Sequence, residues 1–158
     1  MDLIFNLDIS YSQLVVFQKG IENPFNDWED IHIEQGFAWR PGAVSFGSLL
    51  GDERCQINVS AKLQVKIVDN SIRTIVVPFE VTEGGIEIAS VTQEVEIQIP
   101  TGLYELVFNV VPRTSSDQLD VYDFSFVKTV HPTARILVAD KMLNPPKELS
   151  MKANPAVF

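Results

Sequence analysis

From Cys55 to Val68 apolar and polar residues alternate. Cys55, Ile57, Val59, Ala61, Leu63, Val65 and Ile67 take the odd positions, with Gln56, Asn58, Ser60, Lys62, Gln64 and Lys66 between them. A period of two marks a half-buried β-strand, so the odd set is expected to face a core and the even set water. At ~3.3 Å per residue such a strand outruns a small domain, which predicts a bend, bulge or break near Ala61. Further strands are predicted at Leu3–Ile9, Gln13–Phe17, Gly42–Phe46, Ile72–Phe79, Ile86–Ala89, Glu94–Ile99, Tyr104–Val111, Tyr122–Val127 and Arg135–Ala139. Turn chemistry separates them: Lys19-Gly20, Arg40-Pro41-Gly42, Asp69-Asn70-Ser71, Glu83-Gly84-Gly85, Pro100-Thr101-Gly102 and Arg113 to Asp117. Between Ile88 and Val91 the apolar parity switches, so a bulge or a change of strand is expected there.

One stretch carries helical signals. Asn26 is a candidate cap with Glu29 three residues on, Trp28, Ile31 and Gln35 share a helical face, and Gly36 supplies a stop. A short helix at residues 27–35 follows, although Ile31 and Ile33 also fit strand alternation. Beyond Asp140 the chain holds Pro145, Pro146 and Pro155 and little periodicity. The reading is all-β: a single antiparallel β-sandwich of about eight to ten strands with one short helix, in a domain spanning 1–140, followed by an extended tail at 141–158.

Composition narrows the function. The 158 residues carry 21 Asp and Glu against 12 Lys and Arg, a net charge of -9. That is the wrong sign for a phosphate-binding surface, so direct nucleic-acid binding is disfavoured and a basic partner is the better electrostatic match. No apolar run approaches the ~20 residues of a membrane helix, so no membrane insertion is expected. Residues Met1 to Ile9 have no basic cluster and no secretory cleavage pattern, and the single Cys55 can form no internal disulfide; a cytoplasmic location is the expectation.

Catalytic signatures are missing. The two histidines, His32 and His131, form no H-E-x-x-H, and there is no G-x-S-x-G, no phosphate loop and no cysteine cluster for zinc. A hydrolase built around Cys55 and His131 is the weakest alternative, because Cys55 has core parity in a strand. Asp117, Asp120 and Asp123 cluster in and after a loop, and a calcium- or ligand-binding β-sandwich module that uses this loop is the stronger alternative. No cofactor is implied.

The acids are unevenly placed. Gly20 to Trp39 contains Glu22, Asp27, Glu29, Asp30 and Glu34 without a single Lys or Arg. Thr74 to Pro112 contains Glu80, Glu83, Glu87, Glu94, Glu96 and Glu105, again without a base. In the first window Trp28 and Trp39 lie among acids. Tryptophan anchors interfaces, and acids around it would steer a basic partner; both tryptophans would equally fill a core beside Phe25 and Phe37.

The order of several stretches resembles the competence protein J family, inhibitors of the DNA-entry nuclease. These are Ile9-Ser10-Tyr11 with Gln13 and Val16-Phe17-Gln18-Lys19; Asp27-Trp28 with Asp30, Ile33-Glu34 and Gly36; and Gly42-Ala43-Val44-Ser45-Phe46. Val77-Pro78-Phe79, Val81-Thr82-Glu83, Gly85-Ile86, Ile88, Pro100, Gly102, Tyr104, Leu106 and Val111-Pro112 continue the series, over roughly residues 5–127. The middle, Leu49 to Ser71, matches only in strand pattern, and the chain runs on past the matching region. The resemblance implies a small acidic protein without enzymatic activity that binds a nuclease and blocks DNA cleavage. Its partner would be a nuclease with a basic or metal-containing active site. The charge pattern, rather than the family, nominates Glu22, Asp27, Glu29, Asp30 and Glu34 as the binding carboxylates, with Trp28 as anchor.

Overall fold

A computed structural model describes residues 2–157. The chain is all-β, as expected. Eleven strands and one short helix are described: β1 (Asp2–Ile9), β2 (Gln13–Gln18), α1 (Asp30–Gln35), β3 (Phe37–Arg40), β4 (Ala43–Gly47), β5 (Glu53–Lys62), β6 (Arg73–Val81), β7 (Ile86–Ala89), β8 (Glu94–Ile97), β9 (Gly102–Val111), β10 (Val121–Lys128) and β11 (Arg135–Val138). They form a six-stranded sheet in the order β1-β5-β10-β9-β6-β11 and a five-stranded sheet in the order β3-β4-β2-β7-β8. Among the described residues no helix is long and apolar enough to cross a membrane.

Two compact units divide the chain: one takes the residues through Leu7, Arg54–Phe79 and Leu103–Asp140, the other Asp8–Glu53, Glu80–Gly102 and the described residues from Lys141 onward. In the first, one face of β9 and β10 is aromatic. Phe108 stacks on Tyr122 at 5.9 Å and meets Phe124 at 5.2 Å, and Phe126 stands edge-on to Tyr104 and Phe79. Each such side chain contributes about 1.5–3 kcal/mol by leaving water. Against a purely antiparallel expectation, β10 runs parallel to β5, with Phe124 opposite Val59.

The long alternating segment also divides. The strand ends at Lys62, next to the predicted break, and core parity ends with Val59. Leu63, expected on the core face, is 99 % exposed, and Ile67 is exposed as well. Val65 instead packs on Val76, Val107 and Val127. Buried Asn109 fixes this strap: its Oδ1 accepts from the Val68 N–H (3.3 Å) and its Nδ2 donates to the Lys66 carbonyl (3.3 Å). The strap explains why Tyr104 to Val110 in β9 are buried on consecutive positions rather than alternate ones.

In the second unit β2 is central, antiparallel to both β4 and β7. Val15, Phe17, Ala43 and Ala89 form an apolar cluster, with Ile21 and Phe25 against it. The β3–β4 hairpin turns at Pro41-Gly42, and the Gly42 φ of 84° suits glycine alone: a Cβ there would lie 2.8 Å from both Gln18 Oε1 and Ile21 Cδ1. The parity switch after Ile88 falls in the turn between β7 and β8, where the Ser90 N–H donates to the Gln93 carbonyl at 2.9 Å.

Residues 141–157 are extended, and they are hydrogen-bonded along the second unit. The Ala153 N–H donates to the Trp39 carbonyl, the Asn144 N–H to the Glu34 carbonyl and the Ala156 N–H to the Phe25 carbonyl, each at 2.9 Å. Asn26 and Pro155 form an isolated bridge. The segment thereby covers the outer side of β3.

Candidate protein-binding site

The acidic stretch from Glu22 to Glu34 is held from beneath by polar side chains that the sequence reading assigned otherwise. Asn26 is no helix cap. Its buried amide donates to the Ala38 (2.8 Å) and Ala43 (3.1 Å) carbonyls and its Oδ1 accepts from Arg40 Nε (2.6 Å), while the other end of Arg40 donates to the Asn23 carbonyl. The helix begins four residues later, with extended Glu29 as cap residue. The Glu29 N–H donates to His32 Nδ1 at 3.0 Å, and His32 Nε2 lies 3.1 Å from the Lys152 carbonyl. A tautomer with hydrogen on Nε2 satisfies both contacts. Gly36, in the left-handed conformation at φ 86°, ends the helix as expected.

This scaffold leaves the nominated carboxylates outside. Glu22, Asp27, Glu29, Asp30 and Glu34 are all exposed, and among the described residues none is in a salt bridge. Glu29 and Asp30 also sit at the helix start, where unbonded N–H groups favour negative charge. Trp28 is half-buried, with Nε1 donating to Gln13 Oε1 at 3.2 Å, so it presents part of its ring and fixes the rest. Trp39 is half-buried too, in β3.

The window lacks bases in sequence but not in space. The C-terminal segment that runs beside it carries Lys141, Lys147 and Lys152 against a single acid, Glu148. The Lys152 carbonyl is the one that His32 contacts. Nothing in a local charge count could have placed these lysines there.

The second acidic window splits. Glu105 belongs to the first unit, where Arg135 binds it at 2.5 Å and the Thr133 N–H donates to it at 2.9 Å. In the second unit Glu87 of β7 lies directly opposite Glu96 of β8, with Glu94 on the same side of the hairpin. Burial, with the neighbouring charges of Glu94 and Glu96, raises the Glu87 pKa against the opposing pull of Lys19. Lys19 pairs with Glu96 at 3.0 Å.

Beneath this hairpin's turn lies a cavity of about 300 Å³. Phe17, Pro24, Phe25 and Ala89 supply apolar lining, and Ser90, Thr92 and Glu94 supply polar lining. Gln93 holds the turn by accepting from the Asp8 N–H (2.7 Å) and donating to its carboxylate (3.1 Å). The sequence signal for this feature was the parity switch after Ile88, which located a turn without showing what it enclosed.

The alternative sites disperse. Asp120 is buried and accepts from the Arg113 N–H at 2.7 Å, Asp117 is exposed and bonded to Ser115, and Asp123 belongs to β10. Among the described residues no group of three or more His, Cys, Asp or Glu is placed to hold a metal ion. Cys55 is buried in β5, and His131 is exposed in a loop.

A sequence profile of the family Competence protein J (ComJ) matches residues 6–127. The DNA-entry nuclease inhibitor of Bacillus subtilis (strain 168) is 37 % identical over 117 residues, covering 70 % of this chain and 83 % of the relative. The crystal structure of ComJ from Bacillus subtilis, inhibitor of the DNA degrading activity of NucA, superposes with a TM-score of 0.68 at 32 % identity, over 80 % of this chain and 96 % of that one. A structure described as Crocagin biosynthetic gene J shares the fold, with a TM-score of 0.53 at 10 % identity over 79 % of this chain and 96 % of the other.

Proposed function

The chain belongs to the competence protein J family, and we propose that it inhibits a DNA-entry nuclease, the counterpart of NucA, by covering the DNA-binding site of that nuclease with carboxylates. It is an inhibitor and not an enzyme. The observation that supports the acidic mode of binding is the exposure of Glu22, Asp27, Glu29, Asp30 and Glu34 on one continuous stretch, free of salt bridges among the described residues. A nuclease presents cations or a metal to the phosphates of DNA, and carboxylates on a rigid frame offer the same groups a competing anion. Trp28, pinned by Gln13, is the anchor beside them.

The test is titration of the protein into a DNA-degradation assay with the DNA-entry nuclease of the same host, at low and high salt. Inhibition should saturate at a fixed stoichiometry and weaken as salt screens the acidic face. Reversal of Asp27, Glu29 and Asp30 to Lys should weaken it at least about tenfold. A triple reversal that inhibits as tightly as wild type, with the same salt dependence, would move the interface elsewhere.

A further inference from the structure

The cavity under the β7–β8 turn has one carboxylate, Glu94, in its lining. Pro24 and Phe25, also in the lining, stand between Glu22 and Asp27 in the chain, and Glu94 shares its side of the hairpin with Glu87 and Glu96. About 300 Å³ is the bottom of the range for small-molecule sites, and it suits one side chain better than a whole ligand. Its lining is divided as a long cationic side chain requires, with apolar groups for methylenes and a carboxylate for the charge.

A second observation is independent of charge. Ser90 lines the cavity at 2 % exposure, and its Oγ is buried without a hydrogen-bond partner within the described structure. An unsatisfied buried hydroxyl costs about 1–3 kcal/mol, and a serine side chain turns among its rotamers to meet a guest that brings a donor. Lys19, the cation that acts on this acidic hairpin, is already held by Glu96. Glu87, Glu94 and Glu96 thus share one side of the hairpin with a single paired cation, and the Glu87 pKa is raised first by burial and then by these neighbouring charges, against the pull of Lys19.

We propose that this cavity receives one arginine or lysine side chain of the nuclease, with its methylene stem against Phe17, Phe25 and Ala89 and its cation between Glu94 and Ser90. The proposal rests on the nuclease-inhibitor reading and adds to it a specific anchor point at Glu94, which is not one of the five carboxylates from Glu22 to Glu34. The Gln93–Asp8 hydrogen bonds keep the turn in place, so the pocket is formed before the partner arrives.

Two exposed positions test it with little risk to folding. Thr92→Trp fills the mouth of the cavity, and Glu94→Lys places a cation where the guest would bring its own; equal melting temperatures confirm that both variants fold. Each is expected to weaken inhibition of the nuclease at least about tenfold, the loss typical of a disabled anchor. Glu148→Lys, an equal charge change on the C-terminal segment, is expected to change it less than about threefold. If both cavity variants inhibit like wild type while the Asp27, Glu29 and Asp30 reversal fails, the cavity inference falls and the acidic-stretch reading stands. If the cavity variants fail and the triple reversal inhibits fully, the cavity holds and the acidic-stretch reading falls. A wild-type protein that does not inhibit the nuclease overturns both.

Discussion

Arg73 grips Asp140 with two edges of its guanidinium, Nε to Oδ2 and Nη2 to Oδ1, both at 3.1 Å. Arg73 begins β6 and Asp140 follows β11, so the pair fastens the edge strand of the six-stranded sheet to its neighbour. Arg73 is 2 % exposed. Loss of one partner from a buried ion pair leaves a charge without compensation, so Arg73→Ala should lower the unfolding free energy by about 3–5 kcal/mol in urea titration. The double variant Arg73→Met with Asp140→Leu, which buries no charge, should recover most of that loss. A single variant within about 1 kcal/mol of wild type would show the pair to be exposed to water in solution.

Asn26 is the second structural joint, because one side chain ties two strands to the acidic stretch. Asn26→Ala leaves the Ala38 and Ala43 carbonyls and Arg40 Nε without their present partners. A loss of about 2–3 kcal/mol in urea unfolding is expected. Inhibition of the nuclease should fall along with it, since the same amide positions the segment from Glu22 to Asp30. Full stability would mean that water replaces the amide.

The ten strands foreseen from period and turn chemistry are all present, because alternation and glycine turns report local facts. What escaped was non-local. β3 falls in the gap between the helix expected at 27–35 and the Arg40-Pro41-Gly42 turn: Phe37 and Ala38 are both buried in a four-residue strand, so no alternation marks it. Leu63, Val65 and Ile67 continue the parity of β5, and only the buried amide of Asn109, more than forty residues away, shows that they leave the sheet as a strap. The five carboxylates were readable as a window of charge. Their scaffold was not, since it depends on Asn26, His32 and Gln35 meeting strands and a C-terminal segment remote in the chain.

Two carboxyls of the first unit should give pH dependences of opposite sign. Burial of Glu105 disfavours its ionised form, but the Arg135 hydrogen bond, the Thr133 N–H and the Arg135 charge outweigh that and hold its pKa below the ordinary value. Its stabilisation is therefore complete above the carboxylate range and is lost as pH falls through the depressed folded pKa. For Asp123, burial raises the pKa, against the Asn58 hydrogen bond and the Lys62 charge. Its charged form is a cost to the fold that appears as pH rises through the raised pKa and vanishes in acid. Thermal melts across pH should show Glu105→Gln less stable than wild type at neutral pH, with the gap closing in acid. Asp123→Asn should be more stable at neutral pH, with its gap also closing in acid. The same sign for both variants would contradict the assignment.

The C-terminal segment should prove necessary to the second unit. Gln35 is buried, and its amide donates to the Ser150 carbonyl (2.9 Å) while its Oε1 accepts from the Ser150 N–H (2.8 Å). Removal of residues 141–158 breaks this exchange, takes the Lys152 carbonyl from His32 and the Ala153 N–H from Trp39, and uncovers the edge of β3. An uncovered strand edge offers its backbone groups to another chain. The truncated protein is expected to melt at a lower temperature and to associate with rising concentration, as light scattering would record. Gln35→Ala in the full chain separates the two effects. It should cost about 1–3 kcal/mol by leaving the Ser150 N–H and carbonyl without the side chain that meets them, yet the segment still covers β3 and the protein should stay monodisperse. A truncated chain that keeps its melting temperature and scatters no more than the full one would show that β3 needs no cover.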